Sequence, residues 1–418
     1  MSEFGLMGVD WEERIDFDRM RRERLQKAKD ALAKSDVDAL FIIRLENVRY
    51  LTGFRSHLGP VPIFGLATVV LPKGGDPILF THDYDHAMLR MTWMPQGTIL
   101  RNEPGARLRS PEATKMWAER VKSLIGSLAE GKIGMDIFPS LTAEDSLKGA
   151  FPKAEFVDGN KVLDEAKVIK TQDELECQRA AYAMTEAGMD AALRFLKPGV
   201  RECEVLSVAW QKFTALGSEW TQCANIVTSG PSTAPYRRFT SDRIIRKGDL
   251  VILDIGACFN GYWGDFTRTW VCGDIMPTKE QIDLHQEDYD ALFNACDKAR
   301  PGNTNEDMWK EIQNPHSCQL SGGHSAGLSP WEPPYLSGYS PDQQSIKIKL
   351  KPGMIFSIEP YAGIPGIGGF RLENNVIVTE GEPDIYSTYP FDERLLKDIH
   401  PLDKTTGRVR EYYLSHGR

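Results

Sequence analysis

The stretch from Leu250 to Trp270 constrains this chain more than any other. It reads LVILDIGACFNGYWGDFTRTW, so an apolar run leads to Asn260-Gly261 and an aromatic, Thr-rich run follows. An Asn-Gly pair between two such runs is the strongest short signal for a two-residue turn. The stretch therefore predicts a β-hairpin.

This hairpin would carry two carboxylates on one face. Pairing Phe259 with Tyr262 across the turn places Gly256 opposite Asp265. Asp254 lies two residues before Gly256 and on the same face, so it is diagonal to Asp265, about 7–8 Å away between backbones. Unpaired carboxylates in an apolar hairpin repel each other and are costly to desolvate. A cation, most simply a metal ion, resolves that conflict.

The composition fits a soluble globular protein. The chain has 418 residues, of which 41% are hydrophobic and 26% charged, and a chain of this length usually forms two domains. The net charge is −9 and no Lys/Arg-rich run stands out. This argues against a nucleic acid or an anionic membrane as partner.

The sequence also favours a cytoplasmic location. No apolar run approaches the ~20 residues that span a bilayer, and the first residues lack the basic region and apolar core of a signal peptide. The seven cysteines are scattered and include no Cys-x-x-Cys pair. Free thiols in a reducing cytoplasm are therefore the expectation.

Two regions of the chain differ in pattern. Up to about residue 165, short apolar strands alternate with amphipathic helices, which predicts an α/β layer. Thr171-Gln-Asp-Glu174 is a capping-box pattern that opens a long helix. We therefore expect one domain over residues 1–165 and a second over residues 166–418.

Three further polar residues lie in apolar or small-residue surroundings. Glu359 lies in Gly353–Pro360 and Glu373 in Gly369–Val378, two segments that look like paired strands, and His324 lies in Ser321–Leu328. Each acid alone could be an ordinary surface carboxylate, and a lone histidine is more often a satisfied core residue. Four acids inside apolar strands are harder to explain, because buried acids usually need pairing or a metal.

The residue types narrow the choice of metal. Oxygen-rich ligation with one imidazole suits manganese, iron, cobalt or zinc better than copper or an iron–sulfur cluster. Five ligands rich in carboxylates that can bridge suit two metal ions ~3.5–4 Å apart, which share a hydroxide that attacks an electrophile.

Five short motifs in order resemble the pita-bread metallohydrolases, the family of prolidase, aminopeptidase P, methionine aminopeptidase and creatinase. They are Asp-Ile-Gly, Gly-Tyr-x-x-Asp-x-Thr-Arg-Thr, Gly-His-x-x-Gly-Leu, Ile-Glu-Pro and Arg-Leu-Glu-x-x-Val. The resemblance covers roughly residues 165–390, and the region before it is similar to the creatinase/prolidase N-terminal domain. It implies an α+β fold with a C-terminal pita-bread domain after a smaller α/β domain.

The resemblance also implies roles for the polar residues. Asp265 and Glu373 would bridge two divalent metal ions, Asp254 would chelate one ion, and His324 and Glu359 would bind the other. Glu359 would also be the general base. Thr267 and Arg371 would orient the carboxylates.

Two positions depart from the peptidases of this family. Tyr236 and Trp331 stand where those enzymes have the histidines that hold the scissile carbonyl and the leaving group. Tyr236 could still donate a hydrogen bond, whereas the indole of Trp331 cannot shuttle a proton. Both are candidate catalytic residues, and their identities question activity on general peptides.

A second, partial resemblance concerns the pita-bread dimethylsulfoniopropionate lyases. Gly217–Trp220, Thr228–Pro231 and Tyr389–Asp392 are similar to that group. It also lacks the peptidase histidines, but it has an Asp where this chain has Gly256, and its two metal-binding Asp residues are spaced differently.

The aromatic residues near the motifs are candidates for substrate binding. Tyr236, Trp263 and Trp331, with Arg237 or Arg238 nearby, would suit a small anionic or zwitterionic substrate. Trp263 could equally pack in the core. The family resemblance implies a homodimer, and His57, in a Gly/Pro-rich loop, is a candidate for a contact that reaches the neighbour's site.

Three hypotheses follow. The leading one is a dinuclear metal-dependent hydrolase of the Xaa-Pro peptidase-like family that cleaves an amide-type bond in a small substrate. The alternative is a metal-dependent lyase that cleaves a C–S bond by elimination. The third, a metal-free binding protein, is disfavoured because all five ligand positions are filled.

Overall fold

The computed structural model describes residues 15–55, 67–81, 94, 97–101, 110–138, 140–221, 225–236, 239–317, 321–337 and 346–406. The chain divides into two compact units, Asp16–Asp173 and a larger unit from Glu174 onwards. None of the described helices combines the length and apolarity needed to cross a bilayer.

The smaller unit is an α/β layer built on one mixed sheet. Its elements are α1 (Phe17–Lys34), β1 (Ala39–Ile42), α2 (Leu45–Thr52), β2 (Ala67–Pro72), β3 (Ile78–Thr81), β4 (Ile99–Arg101), α3 (Pro111–Ile125) with a 3₁₀ turn Gly126–Glu130, β5 (Lys132–Met135), α4 (Leu141–Ala150), β6 (Glu155–Asp158) and α5 (Asn160–Lys167). The strand order is β4-β3-β2-β1-β5-β6. β1, β5 and β6 run parallel, and β2 runs antiparallel to β1.

Aromatic rings fill the core between this sheet and helix α3. Phe41 of β1 meets Trp117 of α3 and Phe151 edge-on, with 5.3 Å between ring centroids in each pair. Helix α1 begins where the Asp16 side chain accepts a hydrogen bond from Arg19 N, as its N-cap pattern indicates.

The larger unit combines long helices with several antiparallel sheets. Its elements are α6 (Gln172–Phe195, which begins at the boundary), α7 (Glu202–Ala215), β7 (Ile226–Ser229), a 3₁₀ turn Gly230–Thr233, β8 (Leu250–Ile255), β9 (Cys258–Phe259), β10 (Tyr262–Trp263), β11 (Phe266–Val271), α8 (Lys279–Asp297), α9 (Asn305–Glu311), β12 (Ser321–Ser325), β13 (Glu332–Ser337), β14 (Ile355–Ile358), β15 (Tyr361–Ile364), β16 (Gly368–Arg371), β17 (Asn374–Ile377), β18 (Asp384–Ile385) and a 3₁₀ turn Glu393–Leu395. One core cluster joins α6, α7 and the sheet β11-β8-β7, and includes Met189, Phe213 and Leu253.

The hairpin predicted from Asn260-Gly261 is confirmed. Asn260 has φ 48° and Gly261 φ 83°, and positive φ at both central residues is what a type I′ turn requires. Phe259 pairs with Tyr262 as predicted. Thr267 pairs with Asp254 further along the same register.

A second hairpin repeats this arrangement. Ile358 of β14 pairs with Asn374 of β17, and Tyr361 of β15 pairs with Arg371 of β16, so Glu359 lies level with Glu373. The two hairpins are hydrogen-bonded to each other, since Glu373 N donates to Thr267 O at 3.1 Å. Their carboxylate-bearing positions are therefore held at a fixed distance.

Gly264 allows the first hairpin to lie against α6. A Cβ at this position would be 2.3 Å from Thr185 Oγ1 and 3.0 Å from the main-chain oxygen of Ala181. We predict that Gly264→Ala lowers the free energy of unfolding by about 1–3 kcal/mol, because the added methyl group overpacks this contact. Urea denaturation of the full chain measures the change.

Gly381→Ala is the matched control. Apart from its chain neighbours, no described residue has a heavy atom within 4 Å of a Cβ built at Gly381, so the expected change is under about 0.5 kcal/mol. Equal stability of Gly264→Ala and the unsubstituted protein would contradict the close contact.

Candidate metal centre

Three carboxylates converge at the junction of the two hairpins. Asp254 lies in β8, Asp265 immediately precedes β11 and Glu373 immediately precedes β17. One oxygen of each lies within 4.8 Å of the other two, and all three residues are buried. The prediction that Asp254 and Asp265 share a face is confirmed, and Glu373 joins them.

His324 and Glu359 complete the cluster. His324 Nε2 lies 3.6 Å from Asp265 Oδ2 and 3.7 Å from Glu359 Oε1. Its Nδ1 is 3.0 Å from the Ser325 carbonyl oxygen, which can only accept, so Nδ1 carries the hydrogen and Nε2 presents a lone pair. That Nε2 atom is buried and has no hydrogen-bond partner among the described residues.

Gly323 is the reason that β12 can bring His324 so close. A Cβ at Gly323 would be 2.3 Å from Ser357 O on the neighbouring strand β14. Only glycine therefore allows the two strands to approach here. The small residues around His324 in the sequence reflect this approach.

The electrostatics of the cluster call for a cation. Four carboxyl groups, those of Asp254, Asp265, Glu359 and Glu373, are buried together, and the buried guanidinium of Arg371 pairs with one of them, Glu359. Burial raises the pKa of Asp265 and Glu373 well above the usual carboxyl value, and neighbouring carboxylates raise it further. Burial also raises the pKa of Asp254. A divalent cation removes this repulsion and supplies the partner that His324 Nε2 lacks, so the five residues fit a metal site.

Thr267 and Arg371 contact two of the candidate ligands. Thr267 Oγ1 donates to Glu373 Oε2 at 3.0 Å, and Arg371 Nη2 forms an ion pair with Glu359 Oε2. The main-chain N–H of Arg371 donates to Thr269 Oγ1 at 3.1 Å, which ties β16 to β11. These contacts leave Glu359 Oε1 facing His324.

Comparison with known proteins agrees with this geometry. Residues 176–380 match the family described as Metallopeptidase family M24, and residues 24–169 match the Creatinase/Prolidase N-terminal domain. The chain belongs to the pita-bread metallopeptidase family. The predicted α+β fold, with a creatinase-type domain before the pita-bread domain, is confirmed, as is membership of a family of metal-dependent hydrolases that use divalent ions.

Individual relatives span nearly the whole chain. An Xaa-Pro dipeptidase of Pyrococcus furiosus is 26% identical over 366 residues, which are 86% of this chain and 96% of that protein. An Xaa-Pro dipeptidase structure from Bacillus anthracis has a TM-score of 0.74 at 23% identity and covers 89% of this chain and 99% of its own. The structure of a recombinant prolidase from Thermococcus sibiricus has a TM-score of 0.75 at 24% identity, and the match covers 90% of this chain and 98% of that one. The structural likeness supports the fold.

In this pita-bread protein, Tyr236 contacts Asp254, one of the candidate metal ligands. Its hydroxyl donates to Asp254 Oδ2 at 2.5 Å. Its ring stacks on Tyr361 at 5.7 Å between centroids, and the Arg371 guanidinium lies 5.5 Å from its ring centre. The sequence indicates that the Tyr236 hydroxyl can donate a hydrogen bond, and in this structure the acceptor is Asp254.

The two tryptophans differ in their environments. Trp331 is 46% exposed and meets the His324 ring edge-on, with 6.3 Å between centroids, so it borders the cluster and faces solvent. Trp263 is buried and its indole N–H donates to Leu328 O at 3.2 Å. Trp263 thereby fixes the loop that leads to Trp331. Arg237, Arg238 and His57 lie outside the described residues.

Sequence reasoning missed Asn375 of β17. Its side-chain Nδ2 donates to Asp265 O at 3.0 Å and to Glu373 Oε1 at 3.4 Å, and the residue is fully buried. An amide side chain inside an apolar strand, two residues after a ligand candidate, was the available signal.

His324→Ala is predicted to abolish binding of one divalent ion while the fold is retained. The Nε2 atom has no hydrogen-bond partner within the described part of the chain, so as a direct ligand its loss should cost more than the roughly 10–100-fold in affinity that a supporting residue contributes. Calorimetric titration of the metal-free protein with Mn²⁺ or Co²⁺ measures this. His316→Ala is the control, because His316 is 36% exposed and pairs with Glu287 at 3.2 Å. Equal affinities of the two variants would contradict the site.

Metal binding is also predicted to release protons. The raised pKa values of Asp254, Asp265 and Glu373 mean that protons compete for these carboxyl groups more strongly than for exposed carboxylates. A cation must displace those protons, so the affinity should fall as the pH is lowered. Calorimetry in buffers of different ionisation enthalpy measures the proton count. A binding heat that is independent of the buffer would be inconsistent with protonated ligands.

Proposed function

We propose that the chain is a dinuclear metal-dependent hydrolase that cleaves an amide-type bond in a small substrate. The observation that carries this proposal is the unpartnered Nε2 of His324, 3.6 Å from Asp265 Oδ2 and beside Glu359. An imidazole nitrogen beside buried carboxylates makes a donor set for a cation. It suits divalent metals such as Mn, Fe, Co or Zn.

Five donor residues favour two ions over one. Asp265 is near His324 on one side and converges with Asp254 and Glu373 on the other. Asp265 and Glu373 would be shared between the two ions, Asp254 would complete one ion's coordination, and His324 with Glu359 would complete the other's. When bound, such ions polarise a carbonyl and lower the pKa of water.

Glu359 is the candidate general base. Arg371 pairs with its Oε2, which fixes the carboxylate and leaves Oε1 directed towards the cluster. A base must lie within hydrogen-bond reach of the proton that it accepts, and Oε1 is the carboxylate oxygen on the His324 side. Because Arg371 remains charged, it also balances the charge of Glu359 before a proton is transferred.

The substrate would be small, and anionic or zwitterionic. The relatives are named Xaa-Pro dipeptidases, which indicates dipeptide substrates for those proteins. By the family resemblance, this chain has Tyr236 and Trp331 at the positions of the two peptidase histidines. The Tyr236 hydroxyl is used by Asp254, and the half-exposed Trp331 offers an aromatic wall beside His324. These features support a substrate that need not be a peptide. A homodimer and a cytoplasmic location stay predictions.

The alternative is a lyase that cleaves a C–S bond by elimination. One observation favours it: neither Tyr236, with its hydroxyl donated to Asp254, nor Trp331 can protonate a departing amine as a histidine can. Elimination of a sulfide from a sulfonium compound needs a base but no acid at the leaving group. Glu359 could serve either reaction.

The metal-loaded protein is predicted to hydrolyse small amides and not to release dimethyl sulfide. The assay compares Xaa-Pro dipeptides, N-acyl amino acids of similar size and dimethylsulfoniopropionate, each with Mn²⁺, Co²⁺ or Zn²⁺. Glu359→Gln should lower kcat by about 10²–10⁴-fold, since the proton acceptor is lost. Asp265→Ala should abolish turnover.

Glu287→Gln is the control for these variants. Glu287 pairs with His316 and is 35% exposed, so its substitution should leave kcat within about twofold of the unsubstituted protein, as expected away from the chemistry. Release of dimethyl sulfide would contradict the hydrolase proposal and support the lyase alternative. Unchanged turnover by Asp265→Ala would contradict the metal-site assignment for both reactions.

A further inference from the structure

A buried polar cluster lies behind the metal-site carboxylates, and the sequence analysis assigns no role to its residues. It consists of Tyr182 on α6, Ser357 on β14 and Asn375 on β17, all nearly or fully buried. The Tyr182 hydroxyl donates to Asn375 Oδ1 at 2.5 Å, and the Ser357 hydroxyl donates to the same atom at 2.6 Å. We refer to these three residues as the Asn375 cluster.

The two hydroxyl donors fix the orientation of the Asn375 amide. An amide oxygen has two lone pairs, and both are used here. The Nδ2 group must therefore point the other way, to Asp265 O at 3.0 Å and Glu373 Oε1 at 3.4 Å. Burial raises the pKa of Tyr182 well above its usual value, so its hydroxyl keeps the proton that it donates.

Glu373 is consequently held at both oxygens by neutral donors. Asn375 donates to Oε1 from one hairpin, and Thr267 donates to Oε2 at 3.0 Å from the other. Each oxygen keeps a further lone pair, which is the requirement for a carboxylate that bridges two ions. Neutral donors also leave the full negative charge for the metals, whereas an arginine at this place would compete with them.

Asn375 also ties Glu373 to the second bridging candidate. The same Nδ2 group bonds the main-chain oxygen of Asp265. One amide therefore sets both the rotation of the Glu373 carboxylate and the position of the Asp265 backbone. No other described side chain hydrogen-bonds both of these residues.

We propose that Asn375, oriented by Tyr182 and Ser357, is a positioning residue that sets the geometry of Asp265 and Glu373 for binding a pair of metal ions. This inference rests on the proposed metal-dependent function. Groups that orient metal ligands typically contribute 10–100-fold to affinity. Tyr182, on a helix behind the hairpins, would thus influence the metal ions through one intervening amide.

The test is Co²⁺ titration of the metal-free full-length protein, followed by calorimetry and by the visible absorption of bound Co²⁺. Asn375→Leu keeps the side-chain volume but removes the donors, and should weaken binding of at least one ion by about 10–100-fold. Tyr182→Phe removes one of the two bonds that orient the amide, and should weaken it by about tenfold. Both should change the Co²⁺ spectrum, which reports ligand geometry.

Tyr289→Phe is the matched control. Tyr289 is also fully buried in this unit, but its hydroxyl donates to Asp403 at 2.8 Å, and Asp403 is not one of the candidate metal ligands. This variant should lose stability to a similar extent and keep the Co²⁺ affinity within about twofold, because a buried hydroxyl contributes to folding wherever it lies.

The double variant tests the order of the contacts. If Tyr182 acts through Asn375, Tyr182→Phe should weaken Co²⁺ binding no further in the Asn375→Leu background. Additive losses would overturn that route. Unchanged affinity and spectrum in Tyr182→Phe would overturn the inference, even if Asn375→Leu does not fold. Absence of Co²⁺ binding by the unsubstituted protein would instead overturn the proposed function on which the inference rests.

Discussion

Repulsion among four buried carboxyl groups is the constraint on which the larger unit depends. Asp254, Asp265, Glu359 and Glu373 are held together at the cost of desolvation and like-charge repulsion, as the raised carboxyl pKa values reflect. The hairpins resist separation because they are bonded through main-chain groups, such as Glu373 N to Thr267 O. The apolar core between α6, α7 and the β8 sheet supports this arrangement from behind. The divalent cation of the proposed function would offset this repulsion.

The sequence predicts the local parts of this site because their causes are local. The Asn260-Gly261 turn sets the hairpin register, and the register places Asp254 and Asp265 on one face. Glu359 and Glu373 could be paired in the same way. Helix α2, from Leu45 to Thr52, depends more on packing, because five of its eight residues are buried and such contacts outweigh weak local preferences.

The contacts around the ligands could not be predicted, because they join distant parts of the chain. Tyr182 and Asn375 are 193 positions apart, and no local pattern links them. The partner of the Tyr236 hydroxyl is another example: the sequence shows that a tyrosine replaces a histidine, but only the fold brings that hydroxyl to Asp254. Roles of this kind depend on packing between elements. The shared face of Asp254 and Asp265 follows from the hairpin register, whereas the family resemblance supplies the proposed roles of His324, Glu359 and Glu373.

The base proposed for this site, Glu359, was assigned by the family resemblance, and the contacts of the other polar groups agree with that proposal. Burial and the nearby Asp254 carboxylate raise the pKa of Tyr236 well above its usual value, so Tyr236 is a hydrogen-bond donor and not a base. The lone pair of His324 Nε2 faces Asp265 and Glu359, where a metal ion would use it. Asp254 accepts from Tyr236, and Glu373 accepts from Thr267 and Asn375. Glu359 Oε1 lies on the His324 side of the cluster, which agrees with the proposed role of Glu359 as base, whichever bond the substrate presents.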